Sequence, residues 1–437
     1  MSGNDIFHRD FQIKPWWWED YEPQAVDLQD VPTGTTVAII GAGYAGLAAA
    51  LELHKQGIDA VVLEAEQPGF GGSTRSGGLV SSGTSVGKRY TSASQSEQTL
   101  IKSLQDDASD GFELVKQIII DEKIDCHLIE KGRFQGAWCN KHYEDMKAKV
   151  EMLQRGDDPG AYLVPFELQT EEIGSTYYRG GMVAERAGHL HPSLYFKGLL
   201  DACLRRGIKI CAKAGVKRLH KVDSSWKVET SRGDIVARDV VVATNGYTGD
   251  ATPQFKRRLV PMGSYMIATE ELPDDLARTI SPKDRAFAAT RRVLTYYRMS
   301  PDGKRLLFGG RAKFGRTDPL ETAPILYEFM TDRFPQLKGC KITHAWTGFV
   351  AFTLDEVPHM GQMDGLHYAL GCNGSGVIMM TYLGTQIARK IASGSDYKCS
   401  FDSGIFPDSA FYNGNPWFVP TVGRYFRMRD WIDRKFN

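Results

Sequence analysis

The sequence is poor in the features that mark several large classes of protein. Its seven cysteines, Cys126, Cys139, Cys203, Cys211, Cys340, Cys372 and Cys399, are odd in number, scattered and never spaced C-x-x-C. That excludes a disulfide scaffold, gives no zinc or dithiol signature, and fits a reducing, cytoplasmic compartment. The two long uncharged runs, 31–51 and 365–388, are broken by Gly, Thr, Ser and Asn rather than continuously apolar as a membrane span requires. The opening MSGNDIFHRDFQIKPWWWEDYEP also lacks the apolar core of a secretory signal, so neither a membrane span nor export is expected. Net charge is missing too: 53 Lys and Arg balance 53 Asp and Glu, with a pI near 7.1. No global field then attracts nucleic acid or an anionic membrane, and no nucleic-acid partner is expected; small molecules fit better. Repeats of solenoid period and low-complexity tracts are absent as well.

What the chain has in excess is glycine, 45 of 437 residues, and much of it is clustered where backbone can approach a ligand closely. The segment VAIIGAGYAGLAAALELHKQGIDAVVLEAE reads as strand, turn, helix, turn, strand, with an apolar first strand over 36–40 covered on both faces. Its helix starts near Gly43, turns Leu47, Ala50, Leu51 and His54 to one side, and ends at Gly57. Gly41-Ala42-Gly43-Tyr44-Ala45-Gly46 is a G-x-G-x-x-G turn, answered by Glu64 at the end of the next strand. Gly41 permits the turn, Gly43 lets backbone touch a pyrophosphate, and Gly46 lets helix and strand pack. The anion would sit on free N–H groups at the helix start. Glu64 would accept hydrogen bonds from a ribose hydroxyl, and its charge disfavours a 2′-phosphate.

Further along, PGFGGSTRSGGLVSSG is too glycine- and serine-rich to be regular without a ligand or neighbour to order it. A helix is predicted from about Ser94 to Lys123, and a mixed layer over 124–185. A helix and strand follow from HPSLYFKGLLDACLRRGIKI, then an antiparallel meander feeding a buried strand at 239–243. LVPMGSYMIATE, VLTYYRMS and RLLFGGRAK predict an antiparallel sheet. A Pro-bounded helix is predicted at 323–334 and a final helix near Val377. The expected organisation is α/β: a discontinuous dinucleotide-binding domain over 34–110, 186–255 and 340–395, interrupted by an α+β substrate domain over 111–185 and 256–339. Residues 1–33 form a leader, and 396–437 a tail packed on the body.

The run from Glu64 into GFGGSTRSGG, with HPSLYFKGLLDAC, VVVATNGYT, WTGFVAFTLDEVPHMG and YALGCNGSGVIMMTYLGTQIA, resembles the glycine/D-amino-acid oxidase (DAO) family of FAD-dependent oxidoreductases over about 34–393. SYMIATE, YYRMSPDGKRLLFGGR and PWWWEDYEP most resemble the branch containing γ-glutamylputrescine oxidase and related amine oxidases. The resemblance implies a Rossmann-like FAD domain of glutathione reductase type carrying an inserted substrate domain. It assigns FAD contacts to Gly41, Gly43, Tyr44, Ala45, Gly46 and Glu64 in the first unit and to Gly72, Ser73, Thr74, Arg75, Gly77, Gly78 and Leu79 in the second glycine cluster. Val216, Ala243, Thr244, Asn245 and Gly246 belong to the middle segment, and Trp346, Gly348, Asn373, Gly374, Ser375, Gly376 and Val377 to the last. Backbone N–H groups before the final helix would stabilise negative charge at the flavin N1–C2=O edge, and Arg75 would stand as a fixed cation beside the ring.

Departures from the family pattern matter equally. The position of a cysteine that anchors FAD covalently in some relatives falls on Gly348, and 69–83 contains no histidine, so non-covalent FAD is implied. A lysine associated with oxygen reactivity is replaced by Leu307, and the family's G-H-G by Gly374-Ser375-Gly376. Candidate substrate groups are an arginine fork of Arg298 and Arg311, with Tyr265, Tyr296 and Tyr297 as aromatic walls; alternation puts Tyr296 and Arg298 on one face and Tyr297 on the other. His344 and His359 flank the flavin segment, and His189-x-His191 lacks the companions a metal site needs, so no metal is expected.

The activity so implied is oxidation of a C–N bond of an amine or amino acid, with O₂ or another electron acceptor as second partner. Two alternatives stand beside it, a dehydrogenase passing electrons to a quinone or carrier and a flavin-holding subunit of a larger oxidase. The aromatic, basic tail PWFVPTVGRYFRMRDWIDRKFN is expected to pack on the body rather than lie on a membrane. Oligomeric state has no sequence signal.

Overall fold

In the computed structural model, residues 6–24, 29–83, 95–315, 317–394, 397–402 and 404–436 are described. Two sheets organise them. In the first, Gly34–Ile40 lies between Ala60–Leu63 and the end of Gly233–Val242, all parallel, with Lys209–Cys211 added beyond Ala60–Leu63. Leu366–Leu370 extends the parallel set beside Val241 and Val242. Both faces are covered, and Val37, Ala38, Ile39 and Val62 are fully buried, as an apolar strand without alternation requires. The meander appears as Val216–Val222, Ser225–Thr230 and Gly233–Val242, whose last strand continues into the parallel sheet.

The helix Tyr44–Lys55 starts at Gly43, and Gly57 follows at φ +70°. Leu47, Ala50 and Leu51 are buried, whereas His54 is exposed at the last turn. Against it packs the final predicted helix, Gly376–Ser393. A Cβ on Gly384 would lie 2.2 Å from the Ala45 carbonyl oxygen, so glycine is what lets the two helix axes approach.

The second sheet, nine-stranded among the described residues, runs in the order Phe7–Gln12, Ile342–Thr353, Leu259–Thr269, Leu306–Gly310, Thr295–Met299, Ala286–Ala289, Arg133–Gly136, Gly181–Ala184, Tyr162–Val164. The three pieces expected to form an antiparallel sheet pair as such. One face packs on the helix Pro319–Arg333 through Ile267, Phe287, Phe308, Leu326 and Met330.

The structure moves three of the expected boundaries. Ile342–Thr353 belongs to the nine-stranded sheet, because its register with Leu259–Thr269 runs nearly its whole length; the return to the parallel-sheet body comes after Thr353, not at 340. Gln95–Asp121 is one helix crossing the expected break at 110, and Phe112, Val115 and Ile118 join the core of that body; its expected start, Ser94, lies outside the described residues. The leader contributes a strand, Phe7–Gln12, parallel to Ile342–Thr353. The tail forms a helix, Val419–Phe436, packed on the body through Val419, Gly423, Asp430 and Asp433.

Candidate active site

A cavity of about 1710 Å³ opens between the two sheets. Gly41 turns the chain at φ +104°, and a Cβ on Gly46 would stand 1.9 Å from the Gly41 carbonyl oxygen, so strand and helix meet as the motif requires. Gly43 forms the helix start with no side-chain cap. The Tyr44 N–H bonds the Ser73 hydroxyl at 3.1 Å and the Tyr44 hydroxyl donates to the Ser73 carbonyl at 2.6 Å, tying the two glycine clusters together. Glu64 accepts the Ala42 N–H at 2.8 Å and the Glu66 N–H at 2.9 Å. Burial pushes its carboxyl up, and these two bonds oppose the push. Each oxygen has a second lone pair with which to receive a hydroxyl.

Arg75 is held from three sides. Its Nε donates to the Phe70 carbonyl at 2.8 Å and its Nη1 to the Thr347 carbonyl at 3.2 Å. Its guanidinium lies 4.7 Å from the Trp18 ring and 4.9 Å from Phe70. Across the cavity, Asn245 Oδ1 accepts the N–H groups of Gly371 and Cys372 at 3.1 and 3.2 Å, joining the middle segment to the last loop. The helix Gly376–Ser393 opens toward the cavity with no side-chain cap at Ser375.

Of the expected FAD contacts, Gly41, Gly43, Tyr44, Ala45, Glu64, Gly72, Ser73, Arg75, Gly77, Gly78, Leu79, Val216, Ala243, Thr244, Asn245, Gly348, Asn373, Gly374, Ser375, Gly376 and Val377 line this cavity. Four do not. Gly46 sits beneath the first turn. Thr74 is buried, donating to the Gly69 carbonyl and accepting from Trp18 Nε1. Gly246 is pressed onto Phe349, where a Cβ would come within 2.9 Å of its carbonyl. Trp346 is covered by Trp16 and Trp17 and donates to the Arg75 carbonyl at 2.9 Å.

The substrate-side expectations are corrected more heavily. Arg311 lines the cavity with its guanidinium 4.6 Å from the Phe352 ring and, among the described residues, makes no hydrogen bond through it. Burial pushes it below the usual arginine range, against the pull of Glu356, another lining residue. Tyr296 lines the cavity as well, its hydroxyl 2.8 Å from that of Ser264. Arg298 shares the Tyr296 face as alternation required, yet the leader covers it. It donates to the Leu190 and Met299 carbonyls and lies 5.4 Å from the Trp17 ring. No fork with Arg311 forms.

Tyr297 is on the opposite, core face, stacked between Phe287 and Phe308 at 5.2 and 5.0 Å and bonded to the Tyr178 hydroxyl. Tyr265 is also on that face. His344 is sealed from the cavity by the leader, bonding Glu19 and Thr343, and His359 pairs with Asp355. His189 and His191 are taken by Asp284 and Asp20. Leu307 points into the tryptophan cluster with Trp16, Trp17 and Trp346. Residues that the sequence did not single out include Ser264 and Met262 and, from the tail, Phe418, Val422 and Phe426; the aromatic spacing of the tail was its one visible signal.

The cavity fits FAD. Two helix starts without side-chain caps face one space, suited to a diphosphate at one and an electron-rich ring edge at the other. At about 1710 Å³ it also exceeds the roughly 300–1,000 Å³ of a single-ligand pocket, leaving room for a second molecule.

The family model "DAO: FAD dependent oxidoreductase" matches residues 36–390. Gamma-glutamylputrescine oxidoreductase of Escherichia coli K12 is 31% identical over 399 residues, covering 90% of this chain and 92% of the relative. A probable oxidoreductase, OrdL, of Haemophilus influenzae is 31% identical over 392 residues, covering 86% of each. Among solved structures, glycine oxidase from Geobacillus kaustophilus superposes with a TM-score of 0.72 at 18% identity, over 87% of this chain and 99% of that one. L-proline dehydrogenase from P. horikoshii does so at 0.67 and 20%, over 83% and 95%.

Proposed function

The chain belongs to the DAO family of FAD-dependent oxidoreductases, and from that premise we propose that it oxidises the C–N bond of an amine or amino acid held between Tyr296 and Arg311. Its substrate belongs to the γ-glutamyl amines, the N-alkyl amines or the D-amino acids. The observation that carries the reading is Arg311: a half-buried guanidinium without a hydrogen bond among the described residues, in the same cavity as Arg75 and Gly348. Such a cation gains most from a carboxylate or carbonyl oxygen of a bound molecule. The name of the E. coli relative supports an amine substrate.

FAD, when bound, supplies at N5 the acceptor for the hydride leaving the carbon beside the substrate nitrogen. The chain's own residues do the holding. The Gly41–Gly46 turn presents N–H groups to the diphosphate, Glu64 receives a ribose hydroxyl, and Arg75, fixed by Phe70, Thr347 and Trp18, stands as a cation at the ring end. Non-covalent attachment is part of the proposal, with Gly348 lying against Arg75 where a cysteine would be needed. Arg311 and the Tyr296–Ser264 pair orient the substrate. Its nitrogen must be neutral so that its lone pair assists C–H cleavage, and water then hydrolyses the imine to a carbonyl compound and an amine.

Reoxidation by O₂ would give H₂O₂. Leu307, buried among tryptophans, offers no cation to assist it, and this favours keeping transfer to a quinone or carrier as the second reading. The test is aerobic incubation of the FAD-loaded protein with each amine class, measuring carbonyl product and peroxide. Carbonyl with equimolar peroxide supports an oxidase, catalytic carbonyl without peroxide that forms only when a soluble quinone is added as electron acceptor supports the carrier-linked form, and no carbonyl from any class with or without the quinone contradicts amine oxidation.

A further inference from the structure

The cavity does not stop at Arg311 and Tyr296. Its lining also includes Met262, Phe314, Phe352, Phe418, Val422 and Phe426, all but Val422 members of one apolar cluster, with Arg291, Arg292, Thr317 and Asp318 as polar lining residues of the same cavity, and this apolar end forms a limb. Half of its apolar residues come from the tail, at or beside the start of the helix Val419–Phe436. Phe314 and Phe426 meet edge to face at 6.1 Å, and Phe352 carries the Arg311 guanidinium at 4.6 Å, so the limb begins where the cation stands.

The helix is anchored rather than loosely laid on the body. Asp430 accepts the N–H groups of Arg292 and Val293, each at 2.9 Å, and Asp433 pairs with Arg292. Arg434 donates to the Tyr177 carbonyl at 2.7 Å. Near the other end, a Cβ on Gly423 would stand 2.4 Å from the Phe314 ring, so the contact there is as close as glycine allows. An element fixed at both ends makes a wall of set dimensions rather than a lid. The segment that Asp430 holds leads directly into Thr295–Met299, which carries Tyr296.

We propose that the C-terminal helix is the specificity wall of the substrate site. On this view the substrate's non-reacting part is an apolar chain of several carbons, running from the polar anchor at Arg311 into the limb between Phe314, Phe352 and the Phe418–Val422–Phe426 face. This rests on the Arg311–Tyr296 region being the substrate site. Asp430 acts as a positioning residue, since it does not line the cavity itself but holds Arg292, which does, and so fixes both the wall and the segment leading to the strand bearing Tyr296. A polar or branched extension is disfavoured, because the limb would strip its water without returning hydrogen bonds.

The test uses probes with no oxidisable C–N bond, the straight-chain carboxylates from acetate to octanoate, titrated calorimetrically into the full-length FAD-loaded protein. Affinity is expected to rise roughly fourfold per methylene until the limb is filled. Phe426→Ala should weaken octanoate at least tenfold while leaving acetate unchanged, and Phe426→Leu should restore most of the loss. Val422→Trp, which fills the limb from a partly exposed position, should also weaken octanoate selectively and serves if Phe426→Ala proves unstable. Equal affinities for acetate and octanoate, no octanoate binding at all, or equal weakening of both by either variant would overturn the wall. Length dependence in a protein that oxidises no amine would overturn the proposed activity and leave the wall standing.

Discussion

The guanidinium of Arg75 lies 4.7 Å from the ring of Trp18, two segments 57 residues apart in sequence brought together at the wall of the large cavity. The leader holds this loop through further bonds: Trp17 Nε1 donates to the Ser76 carbonyl and Trp18 Nε1 to Thr74. A partly desolvated cation–π contact contributes about 1 kcal/mol, or roughly fivefold in an equilibrium constant. Trp18→Leu is therefore expected to weaken FAD retention several-fold, and Trp18→Phe to recover part of the loss. Equilibrium dialysis against FAD measures both, and a Trp18→Leu protein with unchanged affinity would show that the leader does not position Arg75.

Gly43 and Gly46 separate cofactor binding from folding. A Cβ at Gly43 would meet only the Ser73 hydroxyl, at 3.1 Å, whereas one at Gly46 would meet backbone at 1.9 Å. Gly43→Ala should fold with a near-normal thermal midpoint yet bind FAD poorly. Gly46→Ala should lose about 1–3 kcal/mol of stability as well, the usual cost of overpacking. Thermal melts with and without added FAD distinguish the two, and equal destabilisation by both would contradict the assignment of Gly43 to the diphosphate.

Arg311 is expected to act through substrate affinity. Removing a charge-assisted hydrogen bond costs about 1.5–3 kcal/mol, so Arg311→Met should raise KM, or lower kcat/KM, by roughly 10- to 150-fold for a carboxylate-bearing substrate. An amine without an anionic or carbonyl group should be affected far less. Steady-state kinetics on such a pair decides it, and a loss equal for both would point to a structural role.

Acid should destabilise the fold in two stages. Burial lowers the pKa of His189, His191 and His344. His191 must be neutral to cap Pro192–Arg205, because its Nδ1 accepts the Leu194 N–H at 3.1 Å while its Nε2 bonds Asp20 at 3.0 Å. The unfolded chain then binds more protons than the folded one below the ordinary histidine value near 6.5, so this stability is complete above that pH and is lost as pH falls through it. Asp20 and Asp284, held low by their histidine hydrogen bonds against burial, add a second loss below about pH 4. Thermal midpoints from pH 8 to 3 should decline first below about 6.5. His191→Asn, which keeps a cap, should flatten part of that decline, and a flat wild-type curve would contradict the depressed histidines.

The sequence made the first glycine turn, its strand, its helix and Glu64 legible because close backbone approach leaves few alternatives to glycine. The antiparallel pieces were equally plain. What it hid came from side-chain direction and from distant segments. Alternation separated Tyr296 from Tyr297 but could not say which face was core, and Phe287 and Phe308 claim Tyr297. Arg298 and His344 looked as available as Arg311 until the leader, whose Trp17 and Glu19 cover them, took its place. The wall from the tail depends on the Asp430–Arg292 anchor, a contact across 138 residues that no local pattern announces.

The most direct test is anaerobic. The FAD-loaded protein is mixed with γ-glutamyl amines, polyamines, N-methyl amino acids and D-amino acids in turn, and the visible absorption of the cofactor is followed from pH 6 to 9. The account predicts that at least one class bleaches the band without oxygen, faster as pH rises because only the neutral amine reacts. A correctly folded, FAD-loaded protein whose band survives every class at every pH would contradict it.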